Sequence, residues 1–496
     1  MIRIAIICLL ISMTRSRKCE FSIEEVNELK QAFVDAGKQM EIESRGGRKN
    51  AAIVIGTAMS GKSTLINYLI GNQMEGYRGS SRYDRIIIRK FDVNSTGPEI
   101  SSGLLPVTNI PSKWNSKRTE LQNLTIWNTP GFQDIRGPLQ DLKNSFYLYR
   151  LTRRMKSVKF ILVVNFYDIE SDINENFISL LNNLEKFFNG KFKNFFSSIS
   201  VIFSKAPYNF REFPIRYEYI NNKLNNLLSQ SRTEFNLSND SKDFIQHVVN
   251  HNKQVAFFRN AEVIGKVNSS IDENIIQAIR NTRSINKKSL QDVSFSFSAG
   301  AEVCLRDTED LLFQNSDIKK LNVRIKKFFI EKSNYLLKIG NRDINKLNEY
   351  KIYLSKMGEN ISPALNKNSD IQVKIQSLKG IDYSLQKLIM EQNYANKIKL
   401  IKFSAFILRS SKILILNYLF DALLNVAHAK IKKLIPLSLL LMKNITTNTY
   451  DKVITDVNKS SQRKIRDLSE KTQNLEKSET KKGFWEFIFQ QCADVI

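Results

Sequence analysis

An α/β fold with a mostly parallel sheet flanked by helices, followed by a mainly α-helical C-terminal region, is what this sequence predicts. Three observations carry that reading. Short apolar runs alternate with helical patterns from Asn50 to about Arg283. Several of those runs are apolar without interruption, as strands covered on both faces are. Beyond Ala299 the apolar residues recur mainly at helical spacing.

Taken in order, residues 1–20 open with Arg3 and an apolar run, Ile4 to Met13, followed at once by Arg15, Arg17 and Lys18. The run has the length of a signal-peptide core and is too short to span a bilayer, which takes ~20 residues. The charges behind it oppose translocation, and no small-x-small cleavage site follows. A secretory signal, a membrane anchor, a core-packed segment and a true start at Met13 all remain open. Residues 21–49 hold an amphipathic helix, Phe21 to about Glu43. Ser22 and Glu25 are spaced as a capping box, and Val26, Leu29 and Phe33 lie on one face. Ser44 to Arg48 reads as a hinge.

Residues 50–285 form the α/β unit. Its strands are expected at Ala51–Ile55, Arg85–Phe91, Leu124–Asn128, Lys159–Phe166, Ser198–Ser204 and Gln254–Phe258. Its helices are expected at Lys62–Ile70, Leu139–Arg150, Ile173–Phe188, Pro214–Ser229 and Ile271–Arg283. Residues 286–496 follow as a helical bundle or stalk, after a short strand at Ser294–Ala299. Helices are expected from Asp317 to Leu347, Ser384 to Leu408 and Ser411 to Lys433, with Pro436 breaking the last. A polar helix at 461–482 and an aromatic cluster at 483–489 close the chain. Tyr383–Asn444 mixes aliphatic residues with lysines, which reads as bundle packing or as a basic amphipathic surface for a membrane.

Composition narrows the function. The net charge of +26 over 496 residues comes from basic residues spread along the chain, without a block or an aromatic RNA-binding motif. Nucleic acid is therefore not the expected partner, and the charge serves solubility and weak steering. Three histidines and four scattered cysteines, with no CxxC pair, argue against a histidine- or cysteine-built metal centre and a disulfide framework. That cysteine usage fits a reducing compartment. A cytoplasmic protein, with membrane association open, is the expectation.

The segment Gly56-Thr57-Ala58-Met59-Ser60-Gly61-Lys62-Ser63-Thr64 matches GxxxxGK[ST], between an apolar strand and a helix. Gly56 and Gly61 let successive N–H groups turn toward phosphate oxygens, at the positive end of the following helix. Lys62 is placed to neutralise the β- and γ-phosphates, and Ser63 to ligate Mg²⁺. Leu124–Asn128 then runs into Thr129-Pro130-Gly131, close to the DxxG element whose acid orients a metal-bound water and whose glycine senses the γ-phosphate. Asn128 replaces the acid, so it holds such a water without contributing charge. Between the two lies Gly103 to Pro111, where Thr108 is the candidate second metal ligand and Thr96 its competitor. Ser204-Lys205-Ala206-Pro207 ends a later strand. There Lys205 is placed to stack on a base, but Pro207 stands where guanine recognition puts a carboxylate.

GTAMSGKST, VTNIP, NTPGF and FSKAP, in this order, resemble the P-loop GTPases of the translation-factor-related class. Within that class the chain is similar to the septin-like and immunity-associated group and to large G domain-containing proteins, over about Asn50–Arg283. The resemblance implies Mg²⁺·GTP as ligand, slow hydrolysis, and nucleotide-dependent self-association at a membrane or scaffold. Phe132 stands where small signalling GTPases place a water-orienting glutamine. Gln133, next to it, is the substitute candidate alongside Lys62 and Thr108. A slow or partner-stimulated GTPase switch is expected. A catalytically silent nucleotide-binding scaffold, a membrane-docked remodelling GTPase and an ATP-binding protein of the same fold are the alternatives.

Overall fold

A computed structural model describes residues 19–45, 50–79, 85–101, 106–171, 174–230, 237–340, 343–366, 368–447, 459–464 and 466–467. The apolar run before residue 19, the start of the 103–111 segment, most of the 461–482 helix and the 483–489 cluster lie outside them. The described chain groups into two compact units, one of residues up to Leu312 with Leu400–Ser410, the other of Phe313–Lys399 with residues from Ser411.

The strands of the first unit are β1 (Asn50–Ile55), β2 (Met74–Tyr77), β3 (Ile87–Lys90), β4 (Ser112–Asn115), β5 (Leu124–Asn128), β6 (Ser157–Asn165), β7 (Ile199–Ala206), β8 (Asn209–Phe210) and β9 (Phe213–Pro214). They continue with β10 (Val255–Arg259), β11 (Gly265–Lys266), β12 (Asp272–Glu273) and β13 (Ile285–Asn286). The main sheet runs β12-β10-β7-β6-β1-β5-β4, with β13 added beside β6. β10, β7, β6, β1 and β5 are parallel, while β4 and β12 pair antiparallel at the edges. Period-2 alternation divides the core into two layers. Val158, Phe160, Leu162 and Val164 of β6 pack with helices Pro138–Arg154, Glu175–Phe188, Tyr217–Gln230 and Asn239–Asn250. Ile161 and Val163 face helices Lys62–Leu69 and Ile275–Asn281. The mostly parallel, helix-flanked sheet is as the sequence predicts.

Helix Ile23–Ser44 carries the expected capping box, Ser22 Oγ accepting from the Glu25 N–H and the Glu25 carboxylate from the Ser22 N–H. Its apolar face lies on helix Pro138–Arg154, where Phe33 meets Phe146 edge-on with ring centres 5.4 Å apart and Arg150 caps the Phe33 ring at 3.9 Å. Before that helix, Cys19 is disulfide-bonded to Cys304 on helix Ala299–Leu312. A cysteine count too low for a framework thus still yields one bond, because the fold brings together residues 285 apart in sequence.

The regular elements described in the second unit are helices, among them Asn315–Ile339, Ile344–Ile361, Ile371–Lys379, Tyr383–Glu391 and Lys412–Thr447. Lys374, fully buried, pairs with Asp421 at 2.8 Å. The long helix expected over Asp317–Leu347 is two helices, separated after Ile339 by Gly340. Pro436 does not end its helix, which continues to Thr447. The proline removes one N–H bond at an exposed position, while Leu434, Ser438 and Leu441 are buried on the opposite side and hold the helix through it. In the first unit, Ile87–Lys90 joins a separate antiparallel sheet with β2 and β11 instead of the main sheet. The strand expected at Ser294–Ala299 is absent: residues 294–298 have no regular secondary structure, and Ala299 begins helix Ala299–Leu312. The backbone there is held singly, Ser294 N–H by the Phe187 carbonyl and Ser296 N–H by Ser145 Oγ. No helix of the described residues is long and apolar enough to cross a membrane.

Peptide mapping without reductant is expected to recover Cys19 and Cys304 in one linked fragment. Reduction should then cost about 2–4 kcal/mol of unfolding free energy in denaturant titrations, and equal stability with and without reductant would contradict a structural bond.

Candidate functional site

β1 sits mid-sheet, so its C-terminal end opens onto the crevice where parallel α/β sheets bind ligands. There the chain turns through Gly56–Gly61 into helix Lys62–Leu69. Gly56 adopts φ +151°, and a Cβ on it would lie 2.3 Å from the Val163 carbonyl oxygen of β6. Any side chain at 56 would force the turn away from the sheet. Met59 takes a left-handed φ of 64°, a conformation costly for a side chain of its type and common at ligand-gripping turns. The loop is also pinned from outside: Phe132 N–H donates to the Gly56 carbonyl at 3.0 Å, and Ala58 N–H to the Phe132 carbonyl at 2.9 Å. Gly131 lies so close to Ala58 that a Cβ would meet its nitrogen at 2.4 Å.

Lys62 is buried, and its ammonium donates to the Thr57 carbonyl at 2.6 Å and the Gly56 carbonyl at 3.3 Å. It therefore lies curled within the Gly56–Gly61 loop. Burial pulls its pKa down to about 7; Asp134 opposes that and Lys205 adds to it.

The three sequence-predicted metal-site residues converge. Asn128 Nδ2 donates to Ser63 Oγ at 3.3 Å and to Thr108 Oγ1 at 3.2 Å. Asn128 Oδ1 is buried without a hydrogen-bond partner. Hydroxyl and amide oxygens suit Mg²⁺, which keeps several waters and takes further oxygens from bound phosphates. Ser63, Thr108 and, through a water, Asn128 therefore fit that ion held with a polyphosphate. Among the described residues no group of three His, Cys, Asp or Glu side chains offers an alternative metal site.

Gln133 is not brought to this cluster. Its φ is 57° and its amide donates to Ser179 on helix Glu175–Phe188. Phe132 is buried against Phe187 with ring centres 6.3 Å apart. Neither side chain lines the cavity above the loop. That cavity measures about 570 Å³, and its lining includes Ala58, Met59, Gly61 through Thr64, Thr108, Thr129, Gly131, Ser204 and Lys205. Lys205 Nζ donates to the Met59 carbonyl at 2.9 Å and Ser204 Oγ to the Ser60 carbonyl at 2.6 Å. β7 is thereby fastened to the loop. Gly56, Thr57 and Ser60 shape the loop without lining the cavity.

Sequence reasoning missed several wall residues. Arg85, Ile86, Ile88 and Tyr167 line the cavity, with the Arg85 guanidinium 5.8 Å from the Tyr167 ring centre, as do Asn260 and Ala261, which follow β10. Asn260 Nδ2 donates to the Lys205 carbonyl at 2.9 Å. The only signal for the last pair was their place at the end of an apolar strand.

No protein-family model matches the sequence, and a search of curated proteins returns no significant match. Among solved structures the chain is similar to Toc33 from Arabidopsis thaliana in complex with Mg²⁺ and GMPPNP, at 12% identity, over 58% of this chain and 98% of that one, TM-score 0.29. A dimerization-deficient Toc33 mutant is similar at 11% identity over 55% and 96%, TM-score 0.28. S. thermophilus NFeoB bound to GDP·AlF4⁻ is similar at 12% identity over 76% and 99%, TM-score 0.23.

The depressed Lys62 pKa gives a signed expectation. Phosphate oxygens restore the ammonium, so above pH 7 binding of a polyphosphate draws a proton from solution. Calorimetry at pH 8 in two buffers of different ionisation heat should show uptake approaching one proton. Apparent affinity should fall by up to about tenfold per pH unit above 7. A buffer-independent heat would contradict the assignment.

Proposed function

We propose that this chain is a Mg²⁺-dependent GTP-binding switch with slow intrinsic hydrolysis. The supporting observation is the convergence of Ser63, Thr108 and Asn128 beside Lys62, with Lys205 fastened across the same loop. In this reading the loop amides and Lys62 hold the β- and γ-phosphates, and Lys205 flanks the base. Mg²⁺, when bound, neutralises charge on the phosphates. Ser63 and Thr108 orient the site around it, and Asn128 holds a water by its amide. Gly131 N–H is carried on the segment hydrogen-bonded to the phosphate loop, so a contact to the γ-phosphate would reposition both.

Hydrolysis needs a group that orients the attacking water. Phe132 is in the core and Gln133 is engaged with Ser179, so intrinsic turnover should be slow, on the order of 10⁻³ per second or less. Met59, Val107, Ile110 and Ile135, on the phosphate loop and the two segments that flank Thr108 and Gly131, are exposed apolar residues. Their burial against a second copy would supply a route to stimulated turnover.

One observation favours a second reading on the base. Pro207 holds the position of the guanine-binding carboxylate, and its carbonyl accepts from Arg259 at 2.8 Å. ATP is therefore the competing ligand. Competition of unlabelled GTP and ATP against a fluorescent GTP analogue decides between them. Preference for GTP is expected, and equal or better displacement by ATP overturns that choice. Lys62→Ala should weaken nucleotide binding by at least about 100-fold; unchanged affinity would refute nucleotide binding at this loop.

A further inference from the structure

Arg136 belongs to no motif, yet its side chain bridges two chain segments beside the candidate metal site. Its guanidinium donates to the Thr108 carbonyl at 3.5 Å and to the Asn109 side-chain oxygen. The same group is locked on Asp134: Nε donates to Oδ1 at 2.8 Å, Nη2 to Oδ2, and the Arg136 N–H to Oδ1 at 2.9 Å. Asp134 in turn is almost fully buried and anchored in the body of the domain. Its Oδ2 accepts from Asn144 at 2.7 Å, and its N–H donates to Asp141 at 3.2 Å.

Thr108 sits in a chain segment whose neighbours Val107, Asn109 and Ile110 are exposed. Packing does little to fix it. Its hydroxyl meets Asn128, and its carbonyl meets Arg136. A planar guanidinium with five fixed donors can hold a carboxylate on one edge and a carbonyl and an amide oxygen on the other, which an ammonium cannot do.

Resting on the nucleotide-binding reading above, we propose that Arg136 is a positioning residue for the metal site: clamped on Asp134, it holds the Thr108 segment so that the Thr108 hydroxyl stays beside Ser63 and Asn128. The arrangement assigns Arg136 to metal affinity and not to the grip on phosphate, because none of its contacts reaches the phosphate loop. Loss of a group that orients a metal ligand typically costs 10–100-fold in metal affinity.

The test uses the full chain and the release of a fluorescent GTP or ATP analogue, whichever the wild type binds, titrated with Mg²⁺. Arg136→Ala should raise the Mg²⁺ concentration for half-maximal slowing of release by about tenfold or more. Affinity for the nucleotide in EDTA should stay within about twofold of wild type. Arg136→Lys, which keeps the charge but loses the fork, should fall between the two and serves if the alanine variant does not fold. An unchanged Mg²⁺ requirement in a folded variant overturns the proposal. An equal loss in EDTA and in Mg²⁺ overturns it too, because the side chain would then support the fold or the phosphate loop. Wild-type protein that binds no nucleotide would instead refute the reading beneath it, and binding insensitive to Mg²⁺ would refute the metal site.

Discussion

The site depends on how closely two strand ends approach each other. Beyond β1 the chain must pass beneath the Val163 carbonyl and beside Gly131, and only glycine at 56 and at 131 leaves the backbones room. The reciprocal bonds between Gly56, Ala58 and Phe132 then fasten the Gly56–Gly61 loop to the segment following β5. From this one contact follow the loop's curvature, the depth at which Lys62 is buried, and the register that sets Asn128 opposite Ser63. Either glycine replaced by a larger residue would separate the loop from its neighbour and scatter all three.

Charge is organised around the same contact. Lys62 is deprived of water and supported by the neutral carbonyls of Gly56 and Thr57, so burial lowers its pKa. Asp134, the charge that moderates it, also anchors Arg136. Burial would push the Asp134 carboxyl up, but the bonds from Arg136 and Asn144 outweigh it and hold the group below its ordinary range. Beneath, buried Asp141 accepts the Asp134 N–H with one oxygen and, at 2.7 Å, the Ser298 N–H with the other. Burial raises the pKa of Asp141. Ser298 leads into helix Ala299–Leu312, the helix that carries Cys304. A polar path thus runs from the Thr108 segment through Arg136, Asp134 and Asp141 to Ser298, at the start of an element outside the sheet.

Much of this was legible in the residues. Continuous apolar stretches located β1, β6 and β10, and largely apolar ones with a single small polar residue inside, Thr125 and Ser200, located β5 and β7, since a strand buried on both faces shows little polar alternation. The spacing from Gly56 to Ser63 identified the loop, and the Asn128 substitution was visible beside it. What escaped depended on tertiary contact. Gln133 looked available because it follows Phe132, but the left-handed backbone at 133 turns it to Ser179. Arg136 carried no motif, and its role comes from reaching back 28 residues to Thr108. Ile87–Lys90 has the composition of a sheet strand and pairs in a different sheet. Pro436 has a strong local preference to end a helix, and burial on its far side overrides it.

Hydrogen exchange measured residue by residue, with and without Mg²⁺ and a non-hydrolysable GTP analogue, shows whether the Gly56–Gly61 loop grips phosphate. Bound phosphate should slow exchange at the amides of Ala58 through Thr64 and of Thr108, with far smaller changes in the helices of the second unit. Unchanged exchange across the 58–64 loop at saturating ligand, or protection confined to some other surface, would contradict that grip.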